Sequence, residues 1–338
     1  MKALFLALLQ ALRQGENAVL CNVIFSTGST PRGAGAKMAV FQDGSTLGTI
    51  GGGAVEHAAL KTALELQQSH TSCFKEFCLA PNQAADLGMV CGGNIQVFFQ
   101  FFSPKMEEAM ALVDHLPEAA DANETIWLVT QIQDDASWSM GIYDEAHGMR
   151  FAAPMPLGQF SPLLCSKPML QRGSPTYYVQ PLAQKGMVYI FGGGHISQEL
   201  VPVLAHLGFR PVVFEDREAF CNPALFPGAI RTVLGDFTRI GDWLSIGPED
   251  YIVILTRGHQ GDYLVLEQAL RTQATYVGVI GSRRKQAVTW AKLREAGLGE
   301  GDIARIHNPI GLAIQAETPA EIAISIAGEL ILHRACLQ

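Results

Sequence analysis

From Gly186 onward, short β-branched or aromatic runs alternate with helical stretches, and this alternation restricts the fold more than any other feature of the chain. The runs predict strands at 188–191, 211–215, 230–234, 251–255 and 276–280, with helices between them. Such a pattern builds a parallel doubly wound sheet, because each helix carries the chain back to the end where the next parallel strand starts. The first strand runs into Gly192-Gly193-Gly194 and then a helix over about 196–207. Thr318-Pro319-Ala320-Glu321 opens the last helix as a capping box with proline at the first helical position.

The first half reads differently. Residues 18–25 (AVLCNVIF) form a buried strand, and 36–41 and 46–50 flank Asp43-Gly44, a strong hairpin signal. Gly51, Gly52 and Gly53 lead into a helix of about 15 residues starting near Ala54. Strand 95–102 follows Cys91-Gly92-Gly93, and its nearly continuous apolar run predicts burial on both faces. These elements describe an α+β domain with a mainly antiparallel sheet. Residues 103–185 carry one helical stretch near 105–116, one clear strand at 126–131, and then Pro154, Pro156, Pro162, Pro168 and Pro175. They read as an extension of the first domain and a connector of loops and short strands. The expected organisation is therefore α/β in two domains, 1–185 and 186–338, and 338 residues suffice for two cores.

Composition removes several function classes. Hydrophobic residues at 48% with 17% charged describe a folded globular chain, and a net charge of −8 argues against nucleic acid or an anionic membrane surface as a partner. The apolar run 3–9 is too short to span a membrane or serve as a signal peptide, and reads as an amphipathic helix. Seven cysteines without close pairing point to a reducing compartment, hence the cytoplasm.

The candidate functional residues lie on glycine-rich turns. One turn holds Arg32, Gly33 and Lys37; a second holds Gly51, Gly52 and Gly53, with Glu56 on the first turn of the following helix. Glycine allows backbone N–H groups close to a ligand, and a helix N-terminus favours an anion, so the pair reads as a pocket for an anionic or phosphorylated ligand. For Glu56, ligand contact competes with simple stabilisation of the helix dipole. Cys91 beside Gly92 and Gly93 is either a sterically open thiol, activated by nearby cations, or a small buried apolar residue. In the second half, Gly192, Gly193, Gly194 and His195 sit where a dinucleotide site requires glycines. Glu215 and Asp216 fall about 21 residues further on, where a ribose-binding acid belongs. The third fingerprint position is Ser197 rather than glycine. Arg257, His259, Ser282, Arg283, Arg284, Lys285 and His307 follow predicted strands, and with His195 they would form a cationic, hydrogen-bonding rim at the strand ends. The three histidines have no metal-motif spacing.

Taken together, these segments resemble the XdhC/CoxI family of accessory proteins for molybdenum hydroxylases such as xanthine dehydrogenase. The resemblance rests on S-T-P-R-G-A-G-A-K-M (29–38), G-T-I-G-G-G-A-V-E-H (48–57), C-G-G (91–93), F-G-G-G-H (191–195), E-D-R (215–217) and T-R-G-H (256–259). It continues through V-I-G-S-R-R-K (279–285), P-I-G-L (309–312) and E-T-P-A-E-I-A-I-S-I (317–326). Residues 103–185 do not contribute. Where the family often has G-L-D-I-G, this chain has Ala313 and Gln315 in place of the acid and the second glycine. The resemblance implies a chaperone that binds molybdenum cofactor (molybdopterin, in mononucleotide or dinucleotide form), supports its sulfuration, and delivers it to an apo-hydroxylase. It implies a cysteine desulfurase as sulfur source. In that setting the glycine loops with Arg32 and Lys37 suit the phosphate, and a Cys91 thiolate is soft enough to meet molybdenum transiently or relay sulfur. A homodimer is the expected assembly. Two other readings stand beside it: an NAD(P)-dependent oxidoreductase built on the Gly192–Gly194 turn, and a scaffold without cofactor.

Overall fold

The computed structural model describes residues 1–78, 92–152, 155–183, 185–257, 259–281 and 283–336, with backbone alone for Asp121, His259, Gln260 and residues 283–285. The chain divides into two compact units, Met1–Gln184 and Lys185–Gln338.

The first unit begins with α1 (Lys2–Arg13), β1 (Ala18–Thr27), β2 (Lys37–Phe41), β3 (Thr46–Gly48), α2 (Gly53–Ser69), β4 (Cys73–Cys78) and β5 (Asn94–Phe102). These strands form an antiparallel sheet in the order β3-β2-β1-β5-β4. The predicted hairpin is present, its turn braced by the Asp43 carboxylate, which accepts from the Ser45 N–H and hydroxyl at 2.8 and 2.6 Å. Helix α2 packs Val55, Ala59, Ala63 and Leu66 against Val19, Cys21, Val23, Val97 and Phe99. On the opposite face α1 sets Phe5, Leu8 and Leu12 against Leu20 and Phe102. With both faces covered, β1 and β5 need apolar residues at nearly every position, which is why they read as continuous runs.

Residues 103–185 correct the sequence reading. They form α3 (Glu107–Asp121), β6 (Ile126–Ile132), β7 (Trp138–Asp144), β8 (Gly148–Arg150), β9 (Met169–Gln171) and β10 (Thr176–Ala183). The strands build a second five-stranded antiparallel sheet, ordered β8-β7-β6-β10-β9, rather than a connector. Pro156, Pro162, Pro168 and Pro175 lie between strands. Pro181 lies inside β10 at a register shift next to Ala183, where a missing N–H is tolerated. Leu112, Val113 and Leu116 of α3 share a core with α1, β1, β6 and β7, so both sheets of this unit rest on one apolar centre.

The second unit contains β11 (Val188–Phe191), α4 (His195–His206), β12 (Pro211–Glu215), β13 (Arg231–Leu234), β14 (Tyr251–Ile254) and α5 (His259–Ala269). It continues with β15 (Tyr276–Val279), α6 (Arg283–Glu295), β16 (Ile306–His307) and α7 (Pro319–Cys336). Its six strands are parallel, in the order β13-β12-β11-β14-β15-β16, so the expected doubly wound fold is what forms. One face buries Phe191, Phe214 and Ile254, and the other Ile190, Val213 and Val253. The order reverses between β11 and β14, the place where such sheets take ligands at their carboxyl ends. The capping box of α7 is made as predicted, with the Thr318 N–H donating to Glu321 Oε2 at 2.9 Å and the Glu321 N–H to Thr318 Oγ1 at 3.3 Å. Among the described residues, no helix is long and apolar enough to cross a membrane.

Gln315, standing where the family pattern has glycine, is exposed and adopts φ +59°. A side chain in this left-handed region costs about 1 kcal/mol, partly offset by the freedom glycine regains on unfolding. Gln315→Gly is therefore expected to raise the thermal midpoint by about 1–3 °C in a calorimetric scan. A lower midpoint would mean that the glutamine side chain contributes more than its backbone strain costs.

Candidate functional site

Three glycine-bearing segments, distant in sequence, meet in the first unit. The turn 28–36 leaves β1 and returns as β2, closed by Gly35 N–H to the Val23 carbonyl at 2.8 Å and Val23 N–H to the Ala36 carbonyl at 2.9 Å. Gly93 is buried against the start of that turn. A Cβ there would stand 2.4 Å from the Thr27 carbonyl oxygen and 2.7 Å from that of Ser29, so no larger residue fits. Gly92 touches the same turn from beside Gly28, and Pro31 lies beside Gly51. Arg32 and Gly33 are exposed on this turn. The fold thus brings together Arg32, Gly33, Gly51, Gly92 and Gly93. Cys91, which precedes Gly92 in the chain, lies outside the described residues.

Two predicted contacts are corrected. Glu56 does not face a ligand through the glycine loop; it fills that loop. Its Oε1 accepts from Thr49 Oγ1 at 2.5 Å, from the Gly52 N–H at 2.9 Å and from the Ile50 N–H at 3.1 Å. The Gly51 N–H is bonded to Thr49 Oγ1 at 3.3 Å. Burial works to raise the Glu56 carboxyl, but these hydrogen bonds outweigh it and hold the group below the ordinary glutamate range. Lys37 is the second correction. It lies in β2, buried, and its ammonium donates to Asn22 Oδ1 at 3.0 Å, Gln180 Oε1 at 2.5 Å and the Gly35 carbonyl at 3.4 Å. It is not displayed to a phosphate, so the exposed cation of the motif is Arg32. Sequence reasoning missed Asn22, Tyr178 and Gln180, although polar side chains inside the runs AVLCNVIF and TYYVQPLA are the signal of a buried polar network.

In the second unit the turn Gly192–Gly194 follows β11 as a dinucleotide turn does, but its open amide is occupied. The Gly193 N–H donates to Glu215 Oε2 at 2.7 Å. Glu215 is also gripped by Arg217, through Nε to Oε1 at 2.8 Å and Nη2 to Oε2 at 3.0 Å. Burial opposes ionisation of Glu215, yet the Arg217 fork and the surrounding N–H groups bring its pKa down to about 2. Asp216 beside it is exposed. A Cβ on Gly193 would stand 2.2 Å from the Phe220 carbonyl oxygen, so the chain itself lies over this turn. Ser197, at the third fingerprint position, is buried and donates to the Gly192 carbonyl at 2.5 Å, tying α4 to the turn where glycine would only allow close approach.

The predicted cationic rim is assembled only in part. His195 is exposed as the first residue of α4, and Arg257 is exposed after β14. His259 and Arg283 open α5 and α6, their side chains outside the described residues, as is Ser282. His307 corrects the reading. It sits within the edge strand β16, its Nδ1 2.8 Å from Glu329 Oε1 on α7 and its ring stacked 4.4 Å from Tyr276. It belongs to that packed cluster and not to a strand-end rim.

A family model described as the XdhC Rossmann domain matches residues 188–330, and a model of the XdhC and CoxI family matches residues 11–77. The chain belongs to the XdhC and CoxI family. Curated relatives match it over nearly its whole length. It is 27% identical over 313 residues to the uncharacterized protein YqeB of Escherichia coli, covering 92% of this chain but only 42% of YqeB. It is 26% identical over 329 residues to a probable xanthine dehydrogenase subunit of Bacillus subtilis, covering 96% and 95% of the two chains. It is 22% identical over 330 residues to the molybdenum cofactor insertion chaperone PaoD of Escherichia coli, covering 95% and 85%. The crystal structure of a xanthine dehydrogenase from Bacillus halodurans shares the fold, with a TM-score of 0.80 and 22% identity over 99% of this chain and 96% of that one.

Glu56 yields a direct test. Glu56→Ala leaves the Ile50 and Gly52 N–H groups without their acceptor and should cost about 1–3 kcal/mol in denaturant unfolding near neutral pH. Because the folded-state pKa lies below the unfolded one, this contribution is present above the unfolded pKa and fades as pH falls through the folded value. The gap between wild type and variant should therefore narrow as pH falls below the ordinary glutamate range. A gap that stays constant would show that the charge of Glu56 does not hold the loop.

Proposed function

We propose that this chain is a maturation factor that binds molybdenum cofactor and hands it to an apo molybdenum hydroxylase. The observation that carries the reading is the meeting of the 28–36 turn, Gly51 and Gly92-Gly93 around an exposed Arg32. It is supported by relatives named as a molybdenum cofactor insertion chaperone and as part of a probable xanthine dehydrogenase, each matched over almost the full chain. The chemistry fits the cargo. A planar guanidinium recognises a phosphate through paired N–H donors, and backbone around small residues lets a bulky ligand approach closely. The amides of Ile50 and Gly52 are taken by Glu56, so phosphate recognition is assigned to Arg32 and the exposed turn around Gly33. Cys91, next in the chain to Gly92, is assigned the soft contact with the molybdenum end of the cargo. Sulfuration with a cysteine desulfurase as sulfur donor, a dinucleotide form of the cofactor and a homodimeric assembly belong to the same proposal.

Near-stoichiometric pterin fluorescence on wild-type protein is expected after incubation with released cofactor and anaerobic gel filtration. Arg32→Ala should lower retention by roughly tenfold, the worth of a charge-assisted hydrogen bond, and Cys91→Ala should lower maturation of a client hydroxylase without unfolding the protein. Wild type that retains no pterin would exclude cofactor binding and leave the scaffold role. The oxidoreductase reading loses ground because Glu215 already holds the Gly193 amide that a pyrophosphate would need. Calorimetric titration with NAD(H) and NADP(H) is accordingly expected to show no binding.

A further inference from the structure

Among the described residues of the first unit, Lys37 is a cation whose position surface chemistry does not explain. Its side chain lies inside the unit, between β1 and β2 of the first sheet and β10 of the second, and the residue is 7% exposed. A buried ammonium normally has a carboxylate partner. Here every described group that faces it is neutral. β1 presents Asn22, β10 presents Gln180 and Tyr178, and the glycine-rich turn presents the Gly35 carbonyl. Tyr178 is the titratable member of that set, and burial pushes its phenol up, so it stays protonated. Its hydroxyl lies 3.4 Å from the Val23 carbonyl and 3.3 Å from Gln180 Oε1.

The count of donors and acceptors singles out one bond. An ammonium has three N–H donors, and Lys37 has three acceptors: Gln180 Oε1 at 2.5 Å, Asn22 Oδ1 at 3.0 Å and the Gly35 carbonyl at 3.4 Å. An amine has two donors and one lone pair, so one acceptor must be given up, and the longest contact is to Gly35. The Tyr178 hydroxyl donates to Gln180 Oε1 and keeps that oxygen on the lysine, so the amine retains its two shortest acceptors, Gln180 and Asn22, and its lone pair faces the Gly35 carbonyl oxygen, which repels it. The two protonation states therefore differ at the Gly35 carbonyl.

We infer that Lys37 is a proton-operated clamp on the turn 28–36: as an ammonium it grips the Gly35 carbonyl, and as an amine it releases it, so that the turn carrying Arg32 is held in acid and loosened in base. Burial pushes the Lys37 ammonium down from the ordinary lysine range to about 7, which places the change near neutrality. The link to cargo rests on the function proposed above, with Lys37 acting as a positioning residue through the turn; the clamp itself is read without any cofactor.

The test uses the full chain labelled at lysine Cε and Nζ. Lys37, assigned by its loss in Lys37→Met, should titrate with a midpoint of about 7 by NMR. Amide-exchange protection over 28–36, corrected for the intrinsic pH dependence of exchange, should fall about five- to tenfold between about pH 6 and about pH 9, the worth of one net hydrogen bond. In Lys37→Met that dependence should vanish. Asn22→Asp, isosteric and anionic, should move the midpoint up by about one to three units and keep the turn protected at the alkaline end. A Lys37 midpoint in the ordinary lysine range overturns the clamp, as does turn protection with the same pH dependence in wild type and Lys37→Met. If Lys37→Met fails to fold, the titrations of wild type and Asn22→Asp decide the matter. Protein that titrates as expected but retains no pterin would keep the clamp and lose the cofactor role; the reverse outcome would lose the clamp alone.

Discussion

A backbone N–H removed from water must find an acceptor, and at several turns of this protein a carboxylate from a neighbouring element supplies it. Glu56 takes the N–H groups of Ile50 and Gly52. Glu215 takes that of Gly193, Asp250 those of Met187 and Gly247, and Glu329 that of Gly311. Glycine-rich turns are pliable, and a fixed internal anion gives each one a single geometry. The same bonds also decide what the turns are free to do. A turn whose amides are already satisfied is a rigid support and has no N–H group left to offer a ligand at those positions.

That division sets the chemistry of the first unit. Arg32 and Lys37 stand five positions apart in one glycine-rich motif, and tertiary packing gives them opposite fates. Arg32 lies on the exposed turn. Lys37 falls in β2, register-paired with Asn22 and covered by β10 of the second sheet. One is exposed to solvent, whereas the other is enclosed and bonded to the Gly35 carbonyl of the same turn. The second sheet, built from the proline-punctuated middle of the chain, thereby helps to hold the glycine-rich motif, since Gln180 sits on it.

The second unit shows how far a fold can resemble a nucleotide-binding domain without offering the same surface. Its strand order, the glycines after β11 and the acid at the end of β12 all match that architecture. Glu215 nevertheless turns inward to Gly193 and Arg217, and Ser197 replaces the third glycine with a hydrogen bond. A doubly wound sheet hosts many functions, and the turn chemistry decides which.

Much of this was legible in the sequence. Hydrophobic periodicity and turn chemistry are local, so the first five strands of the second unit, the Asp43-Gly44 hairpin, the α7 capping box and the α/β character could be read directly. β10 could not, because its proline is excused only by a bulge against β6. The glycine motifs and Arg32 were also visible as site candidates, since they rest on residue type and spacing. Which carboxylate would fill which turn, that Lys37 would be enclosed, and that His307 would pair with Glu329 on α7 were decided only by the tertiary structure. Sequence periodicity assigns a side chain to a face of its own element, whereas a buried hydrogen bond depends on which element is folded over that face.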